Sequence, residues 1–294
     1  MGQPAAWRRA ASPVARRIGR RGRAVRVARI GRDHLSCGQA NAHRLAAGGR
    51  GPAVPAGPLQ HARSPGARPR PGEAVLDLAA APGGKTLHLA ARMRLEGELA
   101  AVEPVRDRFF KLQANLARCG AGEFVRTFSH DGRDVGRKTP DRFDAVLLDA
   151  PCSSEARFDP RRPQSFAYWG PRKLAESARK QKALLRSAVD AARPGGRVLY
   201  CTCSFAPEEN ELVVAHTLRR MAGRVELRPL GPALRCFRAG LVEWEGKTLP
   251  SELAHTVRVA PDRRMAGFYL ALLEKRAASR PTPAGRAEQR RRRG

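Results

Sequence analysis

Short apolar runs alternate with segments of helical character through the middle of the chain, and this alternation limits the fold more than any other feature. Strands that alternate with helices predict an α/β fold, in which a mostly parallel sheet carries helices on both faces. Seven strands are predicted, at residues 74–79, 98–103, 124–128, 143–149, 197–201, 256–260 and 267–273. The predicted helices are residues 85–93, 105–119 and 172–192.

Prolines and glycines are expected to mark the chain on both sides of the strand at residues 197–201. Pro194, Gly195 and Gly196 are predicted to break the chain between helix 172–192 and strand 197–201. Pro207 is expected to begin a helix, in which Glu208 and Glu209 lie at the positive end of the dipole and serve a structural purpose.

Residues 1–72 differ in composition from the rest of the chain. They contain 15 Arg, no Lys and a single acid, Asp33, and they lack apolar periodicity. This composition predicts a basic, poorly ordered N-terminal extension. A nucleic-acid-binding arm, an organellar transit peptide and an unreliable start of the reading frame remain alternatives for it. Residues 276–294 are predicted to form a basic disordered tail, which leaves residues 73–275 as the folded domain.

The overall charge favours a polyanionic partner. The chain has 56 Lys and Arg against 27 Asp and Glu, a formal net charge of +29. Such a field attracts nucleic acid, although a GC-rich coding sequence would also enrich Arg together with Ala, Gly and Pro. No apolar run approaches the roughly 18–20 residues that span a bilayer, and no secretory signal is visible. We therefore expect no membrane partner.

The six cysteines show neither disulfide-scaffold spacing nor the paired spacing of a zinc site. We expect reduced thiols, no bound metal and a cytoplasmic protein, or a mitochondrial one if residues 1–72 are a transit peptide. Cys37, Cys119 and Cys236 are expected to be inert, and Cys201 to be a core residue. Cys152 and Cys203 differ because each follows a strand in a turn, at what should be the same rim of the sheet.

Acids and small residues gather where the predicted strands end. Asp77 precedes a loop of small residues and glycines that would let a ligand approach the backbone closely. Glu103 ends the second strand, where a carboxylate can bind the hydroxyls of a ribose. Asp131 follows the third strand, and Asp149 ends the fourth. Together these features predict a site for an adenosine-containing ligand.

Three motifs carry a resemblance to a known family. DLAAAPGGKT at 77–86, DAPCS at 149–153 and TCSFAPEEN at 202–210 resemble the Nol/Nop/Sun (Fmu/RsmB-like) family of RNA cytosine-5 methyltransferases. The resemblance extends from about residue 72 to residue 275. It implies a class I methyltransferase, Rossmann-like fold and an S-adenosylmethionine cofactor. It also implies methylation of carbon 5 of cytosine in RNA, in rRNA first and tRNA second.

The resemblance also implies a role for each matching residue. Cys203 would be the nucleophile and Cys152 would assist product release, while Asp149 and Lys85 would complete the catalytic set. In DNA cytosine-5 methyltransferases the cysteine of the proline-cysteine motif is the nucleophile, which suggests Cys152 as an alternative. The presence of the Thr202-Cys203 pair disfavours this alternative. The cofactor-binding residues would be Ala79, Ala80, Ala81, Pro82, Gly83, Gly84, Lys85, Glu103, Asp131 and Asp149.

RNA contacts are expected in the segment that follows Cys152. Arginines there would bind phosphates, and aromatic rings would stack on bases or pack against the domain. The residues concerned are Arg157, Arg161, Arg162, Phe158, Phe166, Tyr168 and Trp169. We expect a monomer. The alternative function is a non-catalytic RNA-binding or ribosome-assembly factor on a methyltransferase fold.

Overall fold

The structure is a computed structural model that describes residues 68–230, 236–261 and 266–279. Its strands are β1 (Ala74–Asp77), β2 (Glu98–Val102), β3 (Val125–Phe128), β4 (Phe143–Asp149), β5 (Ala192–Thr202), β6 (Val225–Arg228), β7 (Phe237–Ala239), β8 (Glu243–Trp244), β9 (Lys247–Thr248), β10 (Val257–Val259) and β11 (Phe268–Lys275). Its α-helices are α1 (Gly84–Arg92), α2 (Arg106–Arg118), α3 (Val135–Lys138), α4 (Pro171–Ala191) and α5 (Glu211–Arg220). Residues 1–67 and 280–294, which make up most of the predicted extension and tail, lie outside the described residues. The domain division therefore stays a prediction.

The main sheet has the order β3-β2-β1-β4-β5-β11-β10-β7, with β6 also paired to β11. Strands β1 to β5 are parallel, and β11 runs antiparallel to β5. The described part of this sheet contains nine strands rather than the seven predicted, because β6 and β7 were not predicted. Both β6 and β10 lie along the same edge of β11, at opposite ends of that strand.

Helices cover both faces of the sheet, as the α/β fold class requires. Neighbouring residues of β1 point to opposite faces, so that Val75 joins one buried cluster and Leu76 the other. Leu112 of α2 packs with Val75, whereas Leu185 of α4 packs in the cluster of Leu76. The strands between these layers are therefore buried on both sides, which explains their nearly continuous apolar sequences.

The predicted break at Pro194, Gly195 and Gly196 is wrong. Helix α4 ends at Ala191 and β5 begins at Ala192, so these three residues belong to the strand. A register shift against β4 accommodates them, because Phe143 pairs with Ala192 but Ala145 pairs with Arg197. Gly195 has φ +74°, a conformation that favours glycine. The turn residues thus form a bulge within a paired strand.

The strand order places β1 between β2 and β4, where the connections reverse direction. In open parallel sheets, ligands bind beyond the carboxyl ends of the strands at this point. The chain segments after β1, β2, β4 and β5 all emerge at this edge, because these strands are parallel. The fold therefore brings together segments as distant in the sequence as those that follow Asp77 and Thr202.

Candidate active site

The loop between β1 and α1 is small, buried and tied to the neighbouring helix. Ala80, Ala81 and Gly83 are buried, Ala79 and Lys85 are half-buried, and Pro82 and Gly84 are exposed. From α2, Arg108 Nη2 donates to the Ala81 carbonyl at 2.9 Å, and Asn115 Nδ2 donates to the Pro82 carbonyl at 2.7 Å. These side-chain bonds hold the loop in one conformation before any ligand arrives.

Gly83 is required by the geometry of this loop. Its φ is +107°, and a Cβ at this position would lie 3.0 Å from Cδ1 of Leu112. Helix α1 begins at Gly84, the next residue, and no side chain caps its free N–H groups. An anion can therefore approach the N-terminus of α1 over a surface without side chains.

Asp77 is a buried carboxylate with one oxygen left without a partner. Thr86 Oγ1 donates to Asp77 Oδ2 at 2.7 Å, but Oδ1 has no hydrogen bond among the described residues. Burial raises the pKa of Asp77 to about 6, against the opposing effect of the Thr86 hydrogen bond. Asp77 is one of the strand-end acids from which the sequence predicts a ligand site, and its burial and unpaired oxygen make it a candidate ligand-binding group.

The predicted ribose-binding and adenine-binding acids have different surroundings. Glu103 is buried, its Oε1 accepts from the Val105 N–H at 3.1 Å, and its Oε2 lies 3.5 Å from Arg108 Nη1. Asp131 is more exposed and forms a two-oxygen ion pair with Arg133, with Nη2 at 2.6 Å from Oδ2. The hydrogen bond from Arg133 lowers the pKa of Asp131. Glu103 directly follows β2 and Asp131 follows β3, so both acids lie beyond the carboxyl ends of neighbouring strands.

Asp149 connects the loop after β1 to strand β5. Lys85 Nζ lies 2.5 Å from Asp149 Oδ2, and the Cys201 thiol donates to Oδ1 at 3.4 Å. Burial lowers the pKa of Lys85, but the charge and the hydrogen bond of Asp149, together with Cys201 and Asp77, outweigh it, and the net change is upward. Cys201 is fully buried, as predicted for a core residue, but its contact with Asp149 was not foreseen.

Cys152 and Cys203 face each other, with 3.3 Å between their Sγ atoms. Cys152 is half-buried in the loop after β4, and Cys203, one residue beyond β5, is 8% exposed. The strand pairing explains this meeting, since Asp149 pairs with Cys201 and the two chains leave the sheet together. The sequence predicted that both cysteines lie at one rim of the sheet, whereas the 3.3 Å between their sulfur atoms is known only from the tertiary structure.

The two thiols have different proton affinities. The hydrogen bond from Cys152 lowers the pKa of Cys203, and Ser154 and Arg157 act in the same direction against burial. The pKa of Cys152 is raised by that same hydrogen bond and by its burial. Cys203 is therefore the more acidic thiol of the pair. A thiolate is the nucleophilic form of cysteine.

Buried polar side chains link the two cysteine loops. Ser153 and Ser204, which directly follow the two cysteines, have their Oγ atoms 3.1 Å apart. Thr202 Oγ1 donates to Asn210 Oδ1 at 2.6 Å, and Asn210 Nδ2 donates to the Ser204 carbonyl at 2.9 Å. Sequence reasoning did not identify this network, whose only sequence signal is the run of polar residues after Cys203.

The aromatic segment after Cys152 partly packs and partly faces solvent. Phe158 contacts Phe166 and Trp169, at centroid distances of 5.8 and 6.4 Å. Trp169 Nε1 donates to Glu155 at 2.7 Å, which fits the packing interpretation for this ring. Tyr168 is 53% exposed, and its hydroxyl donates to the Ser153 carbonyl at 3.1 Å.

The arginines predicted to bind RNA lie on the surface beside this aromatic segment. Arg157, Arg161 and Arg162 are exposed, and the last two pair with Asp159.

Within the described residues, no helix is long and apolar enough to cross a membrane. No group of three metal-ligating side chains occurs in those same residues.

The sequence model of one family, 16S rRNA methyltransferase RsmB/F, matches residues 67–274. Ribosomal RNA small subunit methyltransferase F of Klebsiella pneumoniae (strain 342) is 40% identical over 218 residues, which are 74% of this chain and 43% of that protein. The protein of the same name from Escherichia coli O139:H28 is 40% identical over 212 residues, 71% of this chain and 42% of that protein. The chain thus spans about two fifths of the length of these curated relatives.

Solved structures agree with this match. A methyltransferase homologue from Pyrococcus horikoshii has a TM-score of 0.61 and 31% identity, covering 74% of this chain and 66% of its own. The crystal structure of NSun6 from Pyrococcus horikoshii with SFG has a TM-score of 0.60 and 27% identity, covering 75% of this chain and 52% of its own. The predicted Rossmann-like methyltransferase fold is confirmed.

Proposed function

Because this chain belongs to the 16S rRNA methyltransferase RsmB/F family, we propose that it transfers a methyl group from S-adenosylmethionine to carbon 5 of cytosine in RNA. The observation that carries the proposal is the pair of thiols 3.3 Å apart at the same edge of the sheet as the strand-end acids Asp77, Glu103 and Asp149. Cytosine carbon 5 is a weak nucleophile, and a cysteine can activate it through covalent addition. The fold places such a cysteine at the ligand-binding edge of the sheet.

The residues after β1 and β2 fit S-adenosylmethionine. Asp77 Oδ1 is buried without a partner and can accept a hydrogen bond from an ammonium group, and Glu103 can accept from ribose hydroxyls. The free N–H groups at the start of α1 suit a carboxylate. Ala79, Ala80, Ala81, Pro82, Gly83 and Gly84 would hold the amino-acid part and the ribose, and Asp131 the adenine. When bound, the cofactor supplies an electrophilic methyl group.

Cys203 acts as the nucleophile in this proposal. Its thiolate adds to carbon 6 of cytosine, and the displaced electron pair makes carbon 5 nucleophilic. Asp149 can accept a hydrogen bond from the N4 amino group of the cytosine and so orient the ring for attack. Lys85 orients Asp149 through their ion pair at 2.5 Å. Asp149 would thus sit between the cofactor and the target base.

Cys152 assists the release step. A solvent base takes the carbon-5 proton, the electron pair of that C–H bond forms the C5–C6 double bond, the C6–S bond breaks, and the Cys152 thiol hydrogen-bonds to the departing Cys203 thiolate. Cys152 suits this step because its sulfur lies 3.3 Å from the departing sulfur of Cys203. The order of proton affinities also supports this division of roles, since Cys203 is the more acidic thiol.

Ribosomal RNA is the proposed substrate, with tRNA as the second candidate. The target base must leave its stack or lie in a single strand to reach the thiols. Exposed Tyr168 can stack on a neighbouring base, and Arg157 can bind a flanking phosphate. We also propose that the protein acts as a monomer, since one chain supplies every residue of the site. Its proposed compartment is the cytoplasm, or the mitochondrion if residues 1–72 are a transit peptide.

The full chain should be incubated with S-adenosylmethionine and, in separate reactions, free 16S rRNA, small ribosomal subunits and tRNA. Mass spectrometry of the digested nucleosides should reveal 5-methylcytidine in the rRNA samples. Cofactor binding is measured in parallel by calorimetry. RNA binding without cofactor binding or 5-methylcytidine would overturn the proposal in favour of a non-catalytic RNA-binding factor.

A further inference from the structure

Glu209 is a fully buried carboxylate whose hydrogen bonds surround Cys152. Its Oε1 accepts from the Ser153 N–H at 3.0 Å, and its Oε2 accepts from the Ser153 hydroxyl at 2.5 Å. Its backbone carbonyl accepts from the Tyr200 hydroxyl at 2.5 Å, which fixes the position of the glutamate itself. The residue therefore joins the turn after β5 to the residue that follows Cys152.

Gln181 of α4 completes this arrangement on the other side of Cys152. Its Nε2 donates to the Pro151 carbonyl at 2.9 Å and to Glu209 Oε1 at 3.1 Å. Pro151 and Ser153, the two neighbours of Cys152, are thus held by one connected pair of buried side chains. The cysteine has little freedom to move away from Cys203.

A buried carboxylate is costly unless hydrogen bonds or a cation compensate its charge. The ion pairs among the described residues do not include Glu209, whereas the nearby Glu211 pairs with Arg258. Ser153 and Gln181 supply the compensation instead, and they do so by binding the Cys152 loop.

The hydrogen bond to Cys203, burial and the charge of Glu209 all raise the pKa of Cys152. The charge of Glu209 therefore disfavours the thiolate form of Cys152.

We infer that Glu209 is a positioning residue, which holds Cys152 against Cys203 for the release step of the reaction. This inference rests on the cytosine-5 methyltransferase function proposed above. It separates two stages of catalysis, because addition forms its bond at Cys203 whereas release needs Cys152 in place as well. Loss of the carboxylate should therefore stop the enzyme at the covalent stage rather than before it.

The test compares the full-length wild-type protein, Glu209→Gln, Cys152→Ala and, as a matched control, Glu123→Gln at an exposed position outside the site. Each protein is incubated with S-adenosylmethionine and 16S rRNA, and protein–RNA adducts are counted on a denaturing gel. Glutamine has nearly the same shape as glutamate but cannot accept all three hydrogen bonds. We expect Glu209→Gln to accumulate the adduct, as Cys152→Ala does, and to lose turnover by about 100-fold, the effect of a small misplacement at a reacting group.

Cofactor binding and cooperative unfolding show whether Glu209→Gln is folded. Gln181→Met is the second variant, because it removes both bonds of the amide while preserving its approximate volume. Adduct accumulation in either folded variant supports the inference. Wild-type turnover in folded Glu209→Gln, or its inactivity without adduct, overturns it. If Glu209→Gln does not fold, absence of adduct in Gln181→Met overturns the inference instead.

The same experiment distinguishes this inference from the proposed function. If the wild type makes 5-methylcytidine and Cys152→Ala traps RNA, only the role of Glu209 is in question. If the wild type is inactive and Cys152→Ala forms no adduct, the proposed function fails and the role of Glu209 fails with it. Adding Cys203→Ala to Glu209→Gln should abolish the adduct, because the carbon–sulfur bond cannot form.

Discussion

The sulfur atoms of Cys152 and Cys203 lie 3.3 Å apart, although the residues are 51 positions apart in the chain. Each follows one of two adjacent parallel strands, β4 and β5. The buried partners of the two loops leave the thiols facing each other at the edge where ligands bind. Chemistry that needs both thiols at one nucleobase is therefore possible without a large rearrangement.

Cys203→Ala should abolish methyl transfer while leaving cofactor binding within about twofold, because the side chain removed is needed for reaction rather than for ground-state binding. Labelled methyl transfer to 16S rRNA and calorimetry with S-adenosylmethionine measure the two properties. Cys119→Ala, which alters a buried cysteine away from the site, is the control. Full turnover by Cys203→Ala would exclude it as the nucleophile.

Cys152→Ala should trap a covalent protein–RNA complex. Cys203 can still add to carbon 6, but the release step lacks its partner thiol. The complex should survive denaturing electrophoresis and should disappear when Cys203→Ala is added. A Cys152→Ala protein that turns over normally and forms no complex would contradict the release role.

Mild oxidation should inactivate the protein reversibly. The sulfur atoms need to approach from 3.3 Å to about 2 Å to form a disulfide. Hydrogen peroxide would take two electrons and two protons from the thiols and become two molecules of water. Peptide mass spectrometry should detect the Cys152–Cys203 bond, and dithiothreitol should restore both thiols. Inactivation that dithiothreitol fails to reverse would show that another modification is responsible.

Asp77→Asn should stabilise the ligand-free protein at neutral pH and weaken cofactor binding. The pKa of Asp77 rises from 3.8 to about 6 on folding, so the folded state binds the proton more tightly. Stability therefore falls as the pH rises from about 4 to about 6, and the loss above that range is about 3 kcal/mol. Asparagine carries no charge and avoids this loss.

Thermal unfolding at neutral pH and at about pH 4 tests this prediction. The stabilisation of Asp77→Asn should be largest at neutral pH and several-fold smaller at about pH 4, where the aspartate is protonated in the folded state and about half ionised in the unfolded state. Calorimetry should show weaker binding of S-adenosylmethionine. A variant that is less stable than the wild type at neutral pH would contradict the proposed cost of the buried charge.

Local sequence patterns were sufficient to predict most strands of the parallel sheet. The strands that end near Asp77, Glu103 and Asp149 are apolar because they are buried on both faces, and this burial is visible in the sequence. Strands β6 and β7 were missed because they are short and gain their stability from pairing with β11 and β10. The break predicted at Gly195 was wrong because pairing with β4 extends the strand through a bulge.

The amino-acid sequence by itself determined the α/β class, the strand-end acids and the two cysteines at one rim, because these follow from short-range periodicity and spacing. Only the tertiary structure decided the 3.3 Å contact between the thiols, the unpaired oxygen of Asp77 and the burial of Glu209. Glu209 meets Ser153 and Gln181 across 56 and 28 residues of sequence. Contacts of this kind depend on how whole elements pack, and local sequence patterns do not record them.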